Sequence, residues 1–387
     1  MSRPKNKKTK TIIGSSPNNR IVLFYPHVPV TARVAARKVL DTRWIGQGPR
    51  VDEFETMWTE KFAKPAKSIA VGSGTDALHL AYILAGVGEG DEVVTPIFTC
   101  TATNTPILYQ KAKPVFADIK KDSLNVDPED VARKITAKTK AIVCVDYGGL
   151  PADLDEFLAI AKKWNIPLIE DAAQAHGAKY KGKYIGSISD FTVFSFQAIK
   201  IIAAPDSGML TIKNPQLEDK AKRIRWFGID RKAKQESLHQ GIWAGDIWEL
   251  GWKYQMTDIA AAMGIEALKI IDQTLAHHRE LFEAYRKGLK GIPGIYFIGD
   301  DKIHQSSCWL ATVIVEHRDS LRAKLLQHGI ESDPVHYRND RYSIFGGRVD
   351  DCPNMDALED KYLVLPKHFH LTVEDVGRIC DIIRSGW

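Results

Sequence analysis

Residues 194–200, Phe-Ser-Phe-Gln-Ala-Ile-Lys, decide how this chain is read. The apolar run from Phe191 to Phe196 has the length and composition of a strand. It delivers Ser195 to its end, and Lys200 follows in the loop. Beyond Lys200 comes Ile201-Ile202-Ala203-Ala204-Pro205, with no acid close in sequence to pair with the lysine. A lysine in apolar company loses basicity, because burial penalises its charged form, and it can act as a nucleophile near neutral pH. A lysine that snorkels at a strand end is the competing reading, and for any single lysine it is the commoner case.

Two segments upstream change those odds. Pro167-Leu-Ile-Glu170-Asp171-Ala-Ala-Gln174-Ala-His176 is an apolar strand ending in two acids. An acid at the carboxyl end of a parallel strand lies where open α/β sheets bind ligands. It could hold a metal, act as a base or pair with a protonated ring nitrogen, and helix capping is an equal alternative. Further upstream, Gly72-Ser73-Gly74-Thr75-Asp76-Ala77 joins the apolar run Lys67–Val71 to a helical pattern, Asp76 to Val87. Small residues there let the backbone approach an anion, and the N–H groups of a helix N-terminus point at it. The same residues satisfy a loose dinucleotide pattern. That pattern wants an acid at the end of the next strand, whereas Asp91 and Glu92 precede it.

Further strand-like runs are Glu92–Thr95, Lys113–Ala117, Ala141–Val145 and Gly208–Ile212, with helical stretches such as Asp153 to Trp164 between several of them. Alternation of this kind predicts an α/β sheet, largely parallel and covered on both faces. After about residue 265 the pattern changes to a long helix, Thr257 to about Leu289, and a mixed segment with a strand-like run, Trp309–Val315. The chain therefore divides into a disordered basic tail (1–20), a large domain (21–265) and a smaller C-terminal domain (266–387).

Charge excludes one class of function. The chain has 387 residues with 53 Lys+Arg against 48 Asp+Glu. Six of the basic residues (Arg3, Lys5, Lys7, Lys8, Lys10, Arg20) fall in residues 1–20, which hold no acid, leaving 47 against 48 for the rest. The body is thus nearly neutral and offers no general field for nucleic acid. No stretch approaches a membrane span, and no secretory signal is evident. The five cysteines show no C-x-x-C spacing, so neither a metal site nor a disulfide framework is expected, and a reducing cytoplasm is the simplest setting.

Taken together, a Gly-Ser-Gly-Thr loop, an Asp at a strand end and a Ser followed by a Lys resemble a pyridoxal 5'-phosphate (PLP) enzyme. Such an enzyme needs a phosphate cradle, an acid for the ring nitrogen and a lysine. The segments IGQGPRVDEFE (45–55), GSGTDALHLA (72–81), GDEVVTPIFTCTATNTPI (90–107), PVFADI (114–119), EDAAQAHGA (170–178), GSISDFTVFSFQAIK (186–200) and YQMTDIAAAMGIEAL (254–268) resemble the DegT/DnrJ/StrS-type sugar aminotransferases, and the perosamine-synthase-like members among them. The resemblance spans about residues 25–375.

That resemblance implies the aspartate-aminotransferase fold (PLP fold type I): a large α/β/α domain with a mixed, mostly parallel sheet, and a smaller C-terminal α+β domain. It implies a homodimer and amino-sugar biosynthesis of the lipopolysaccharide O-antigen kind, with amino transfer from L-glutamate to a keto-sugar, first of all a nucleotide-linked 4-keto-6-deoxyhexose. Amination at C3, or of an eight-carbon keto-sugar acid, are alternatives. A dehydratase of the same fold carries histidine in place of the lysine, so Lys200 speaks against it. By the same resemblance, Lys200 holds the cofactor and later moves the proton, and Asp171 pairs with the ring nitrogen. Gln174 bonds the ring oxygen, and Ala173 and Cys100 cover the ring faces. Gly74, Thr75 and Ser195 hold the phosphate. Lys253, where the family often has Asn in a G-Y-N-Y-R run, is a further phosphate contact or a surface ion pair. The loop after the lysine also departs from the family's usual run, reading Pro205-Asp206-Ser207-Gly208. Trp44, His176, His336 and Arg338 are candidate sugar contacts, Arg338 through a bidentate grip on a diphosphate; packing roles are as well founded for all four.

Overall fold

The computed structural model describes residues 20–239, 241 and 245–387. The tail expected over 1–20 therefore lies, except for Arg20, outside the described residues. Seven strands form the main sheet: β1 (Lys67–Val71), β2 (Glu92–Pro96), β3 (Lys113–Ala117), β4 (Thr139–Val145), β5 (Leu168–Asp171), β6 (Phe191–Ser195) and β7 (Gly208–Ile212). Their order across the sheet is β1-β7-β6-β5-β4-β2-β3. From β6 to β3 all pairings are parallel, and β7 runs antiparallel to both of its neighbours.

Strand residues alternate between two cores. Ala70, Val94, Ile142, Cys144, Leu168 and Phe194 enter one apolar cluster, while Ile69, Val71, Val93, Val143, Ile169 and Val193 enter the other. Because strand side chains alternate between faces, both faces of the sheet are buried. This is why the strands read as almost continuous apolar runs. The carboxyl ends of β1, β5 and β6 share one edge. There Val71 pairs with Gly208 and Gly208 with Ser195, while Asp171 lies in register with Val193.

A smaller antiparallel sheet (Ile295–Phe297, Ala311–Val315, Tyr362–Leu365) packs with helices Ile271–Leu289, Arg318–Gln327 and Val373–Arg384 around a third apolar cluster. One expectation needs adjustment. The long helix from Thr257 is two helices, Asp258–Lys269 and Ile271–Leu289, broken at Ile270, whose ψ of 10° leaves the helical region. Ile21 is in the third cluster, its N–H bonds the Gly329 carbonyl at 2.8 Å, and Arg20 pairs with Glu331. Two positions on, Leu23 enters the first cluster. No helix among the described residues is long and apolar enough to cross a membrane.

Candidate active site

The turn after β1 is built for close approach. Ser73 caps the helix Gly74–Leu84, its hydroxyl accepting the Asp76 N–H at 3.0 Å. A Cβ on Gly74 would lie 2.9 Å from the Ser195 Cβ, and one on Gly208 would lie 2.5 Å from the Ser73 carbonyl oxygen. Only glycine lets the turn pack this tightly against β6 and β7. The result brings the first N–H groups of a helix, those of Gly74 and Thr75, beside the Ser195 hydroxyl, an arrangement that suits an anion. The Gly72 N–H bonds the Tyr254 carbonyl at 2.8 Å, so residues 253–255 run along the same turn. Lys253 itself is exposed, and its ammonium bonds the Gln255 side chain.

Asp171 ends β5 and is buried. One carboxylate oxygen accepts the Thr103 hydroxyl at 2.7 Å and the other the Ala173 N–H at 3.1 Å. Burial raises its pKa; the Thr103 and Ala173 hydrogen bonds and the nearby charge of Lys200 oppose that rise. Thr103 is in turn held by Thr99 at 2.7 Å. Gln174 accepts the Gly148 N–H at 2.7 Å, and its amide nitrogen lies 3.1 Å from a ring nitrogen of His336. Cys100 is a half-buried free thiol at the start of helix Thr101–Tyr109.

Lys200 follows β6. Its amine lies over the ring of Trp309, and burial lowers its pKa to about 8 against the pull of Cys100 and Asp171, which raise it. An amine with that pKa is partly unprotonated near neutral pH and can serve as both nucleophile and base. Asp171, Gln174, Ser195, Lys200 and His336 are thus brought to one region.

Three sequence candidates sit elsewhere or are engaged otherwise. Arg338 is buried, its guanidinium bonded to Asp340 at 2.6 and 2.7 Å, to Glu359 at 2.9 Å and to Asp356. Its fork is already filled by carboxylates, which corrects the expected diphosphate grip. His176 is stacked on Phe196 (centroids 5.4 Å apart) and edge-on to Trp58, with its pKa lowered to about 3 chiefly by burial. Its Nδ1 accepts the Ile202 N–H at 3.4 Å, so it packs behind the lysine loop and presents no face to a sugar. Trp44 borders a surface groove with Val34, Arg50 and Ala262, a groove that neither Lys200 nor Asp171 lines. His336 does adjoin the site, with its pKa lowered to about 3 by burial and the Lys200 charge.

Sequence reasoning missed Thr103 and Trp309. Thr103 stands in the quoted 90–107 segment, one helical turn after Cys100, but nothing in its spacing reveals that it faces a strand end 68 residues away. Trp309 was read as part of a strand, which in fact begins at Ala311.

GDP-perosamine synthase of Escherichia coli O157:H7 is 31% identical over 369 residues, 94% of this chain and 98% of that protein. The crystal structure of the sugar aminotransferase CalS13 from Micromonospora echinospora superposes with a TM-score of 0.89 at 30% identity, covering 94% of this chain and 99% of that one. Spr1654 of Streptococcus pneumoniae, solved in PLP- and PMP-forms, is 28% identical, with TM-scores of 0.86 and 0.88 over 95% and 94% of this chain and 98% of its own. The model of one family matches residues 30–384, nearly the whole of the fold that carries Lys200 and Asp171, and the chain belongs to that family, the PLP-dependent sugar aminotransferases of the DegT/DnrJ/EryC1/StrS type.

Proposed function

We propose that this protein transfers the amino group of L-glutamate to a nucleotide-linked 4-keto-6-deoxyhexose, aminating C4, as a homodimer. The observation that carries the reading is the convergence of a helix-start cradle, a buried Asp171 and a low-pKa Lys200 at one sheet edge. The choice of sugar rests on the likeness to GDP-perosamine synthase.

The site fits PLP. The close approach of Gly74 to Ser195 sets the start of a helix beside a hydroxyl, and a buried carboxylate and a lysine lie on the same edge. When bound, PLP supplies an electron-withdrawing ring and a carbonyl carbon that carries amino groups between substrates. Gly74, Thr75 and Ser195 would hold its phosphate, with Lys253 as a point charge at the margin. Asp171 would keep the ring nitrogen protonated, Gln174 would bond the ring oxygen, and Ala173 and Cys100 would cover its faces. The Lys200 amine, released from the cofactor, would take the proton from the carbon bearing the donor's amino group and return it on the other side of the reaction. His336, whose ring nitrogen lies 3.1 Å from the Gln174 amide nitrogen, would orient Gln174.

The test is to incubate the protein with glutamate and a panel of nucleotide keto-sugars and to detect amino-sugar products by mass. A C4-amino-6-deoxyhexose nucleotide is expected. Exclusive C3 amination, or amination of an eight-carbon keto-sugar acid alone, would replace this substrate assignment. Lys200→Ala must abolish turnover while the fold survives; normal transamination by that variant would sink the mechanism.

A further inference from the structure

A second pair of acids lies directly behind Asp171. Asp146 follows β4 and Glu170 precedes Asp171 on β5; both are 0% exposed. The strands pair with Cys144 opposite Glu170 and Val145 opposite Asp171, which sets Asp146 and Glu170 on the face away from Asp171. Each carboxylate has one oxygen in use: Asp146 accepts the Ala152 N–H at 2.9 Å, and Glu170 the Thr192 hydroxyl at 2.9 Å. The other oxygens, Asp146 Oδ2 and Glu170 Oε1, are buried with no hydrogen-bond partner, and each acid is close enough to act on the other's titration. The Ser189 hydroxyl flanks Glu170, and its oxygen has no partner of its own.

Carboxylates only accept; the Ser189 hydroxyl can give its hydrogen to Glu170, but nothing donates to Asp146 Oδ2, so two neighbouring buried acids need a proton between them. We propose that Asp146 and Glu170 share one proton, and that this proton-locked pair positions Asp171 for the reaction. Asp146 also donates its N–H to the Asp171 carbonyl at 3.1 Å, while Thr192 ties Glu170 to β6, so the pair joins β4, β5 and β6 where Asp171 is presented. The titratable groups acting on the pair are each member on the other, Asp171 and, from β4, the Cys144 thiol; among the described residues no Lys, Arg or His forms an ion pair with either acid. Burial and mutual repulsion hold the pair's proton well above the usual carboxylate range. That Asp171 faces a ring nitrogen rests on the function proposed above; the shared proton does not.

Glu170→Gln and Asp146→Asn each replace the proton with an amide donor of the same shape, while Glu170→Leu cannot bridge. In infrared spectra of the full-length protein at about pH 8, a protonated-carboxyl band should be present and should vanish in either amide variant. The fall of melting temperature with rising pH contributed by a raised carboxyl should disappear in both. With PLP bound, Glu170→Leu should shift the pH midpoint of the cofactor's visible band by about one unit, and Glu170→Gln should leave it in place. A missing band in the wild type, or a Glu170→Gln melting profile that superposes on the wild type, overturns the shared proton. Equal band midpoints for Glu170→Leu and Glu170→Gln overturn the positioning role. If no visible band forms at all, the cofactor reading has failed, while the infrared and melting results still decide the proton.

Discussion

The Lys200 amine nitrogen lies 3.7 Å from the centroid of the Trp309 ring. Trp309 is buried, its indole N–H bonds the Ile199 carbonyl at 3.0 Å, and Phe24 stacks on it with ring centroids 5.7 Å apart. One residue from the C-terminal half thus fixes both the backbone before Lys200 and the space its amine can occupy. A cation over an indole gains about 0.5–2 kcal/mol depending on desolvation.

Trp309→Leu should therefore lower the rate of the half-reaction with the proposed donor, glutamate, about tenfold, a loss of about 1.4 kcal/mol. Trp309→Phe keeps a ring but drops the bond to Ile199, and should fall between. Single-turnover spectra of bound PLP mixed with glutamate measure this. A Trp309→Leu variant at the wild-type rate would reduce Trp309 to packing.

The Lys200 titration can be read without turnover. Burial lowers its pKa from 10.5 to about 8, and Asp171 works in the opposite direction. Labelling of Lys200 by an amine-reactive reagent, followed by peptide mass spectrometry across pH, should show a midpoint near about 8 in the cofactor-free chain. Asp171→Asn removes a negative charge and should move the midpoint lower. A midpoint close to that of an exposed lysine would mean that the amine is solvated.

Thr103→Val deletes the hydroxyl that Asp171 accepts at 2.7 Å and keeps the shape. Losing a hydrogen bond to a buried charge costs about 1.5–3 kcal/mol. The Asp171 pKa is already raised by burial, and the hydrogen bond opposes that rise. A raised folded-state pKa gives stability that is present below the unfolded pKa and is lost as pH rises through the folded one. Thr103→Val raises it further, so the variant should be destabilised more at about pH 7 than at about pH 3, below the unfolded pKa, where the carboxyl is mostly protonated in both states. Thermal melts at the two pH values decide this; an equal loss at both would assign Thr103 to packing alone.

Much of this was legible in the sequence for a simple reason. β1, β3 and β7 begin and end where their apolar runs do, because strands buried on both faces need unbroken apolar sequence. Gly74, Asp171 and Lys200 stand at or just beyond the ends of β1, β5 and β6, whose apolar runs are as plain, so finding the strands found them. Local patterns do not encode what meets across the fold. Thr103 and Trp309 reach the site from a helix and from the C-terminal half, and Ile21 joins a core made by residues 281–383. Arg338 misled for the same reason. A lone arginine in a loop looks free until Asp356 and Glu359, some 20 positions on, are folded against it.

Arg338 now supports a prediction opposite to that of a ligand contact. Its side chain is 3% exposed, and Asp340, Asp356 and Glu359 converge on it, with Asp340 itself fully buried. Those carboxylates hold the guanidinium protonated well above its usual range. The Asn339 side chain beside it bonds the Thr99 carbonyl at 2.8 Å, so the cluster anchors the segment that docks beside the Asp171 support. Removing one partner of a buried ion pair leaves charge uncompensated and costs about 3–5 kcal/mol. Arg338→Ala should thus lower the melting temperature strongly. Arg338→Lys, which keeps the charge but not the fork, should be milder. In the folded Arg338→Lys protein, KM for a nucleotide-linked sugar should stay within about twofold of wild type, because a group that touches no substrate does not alter uniform binding. A KM raised tenfold with the melting temperature unchanged would return Arg338 to the substrate site.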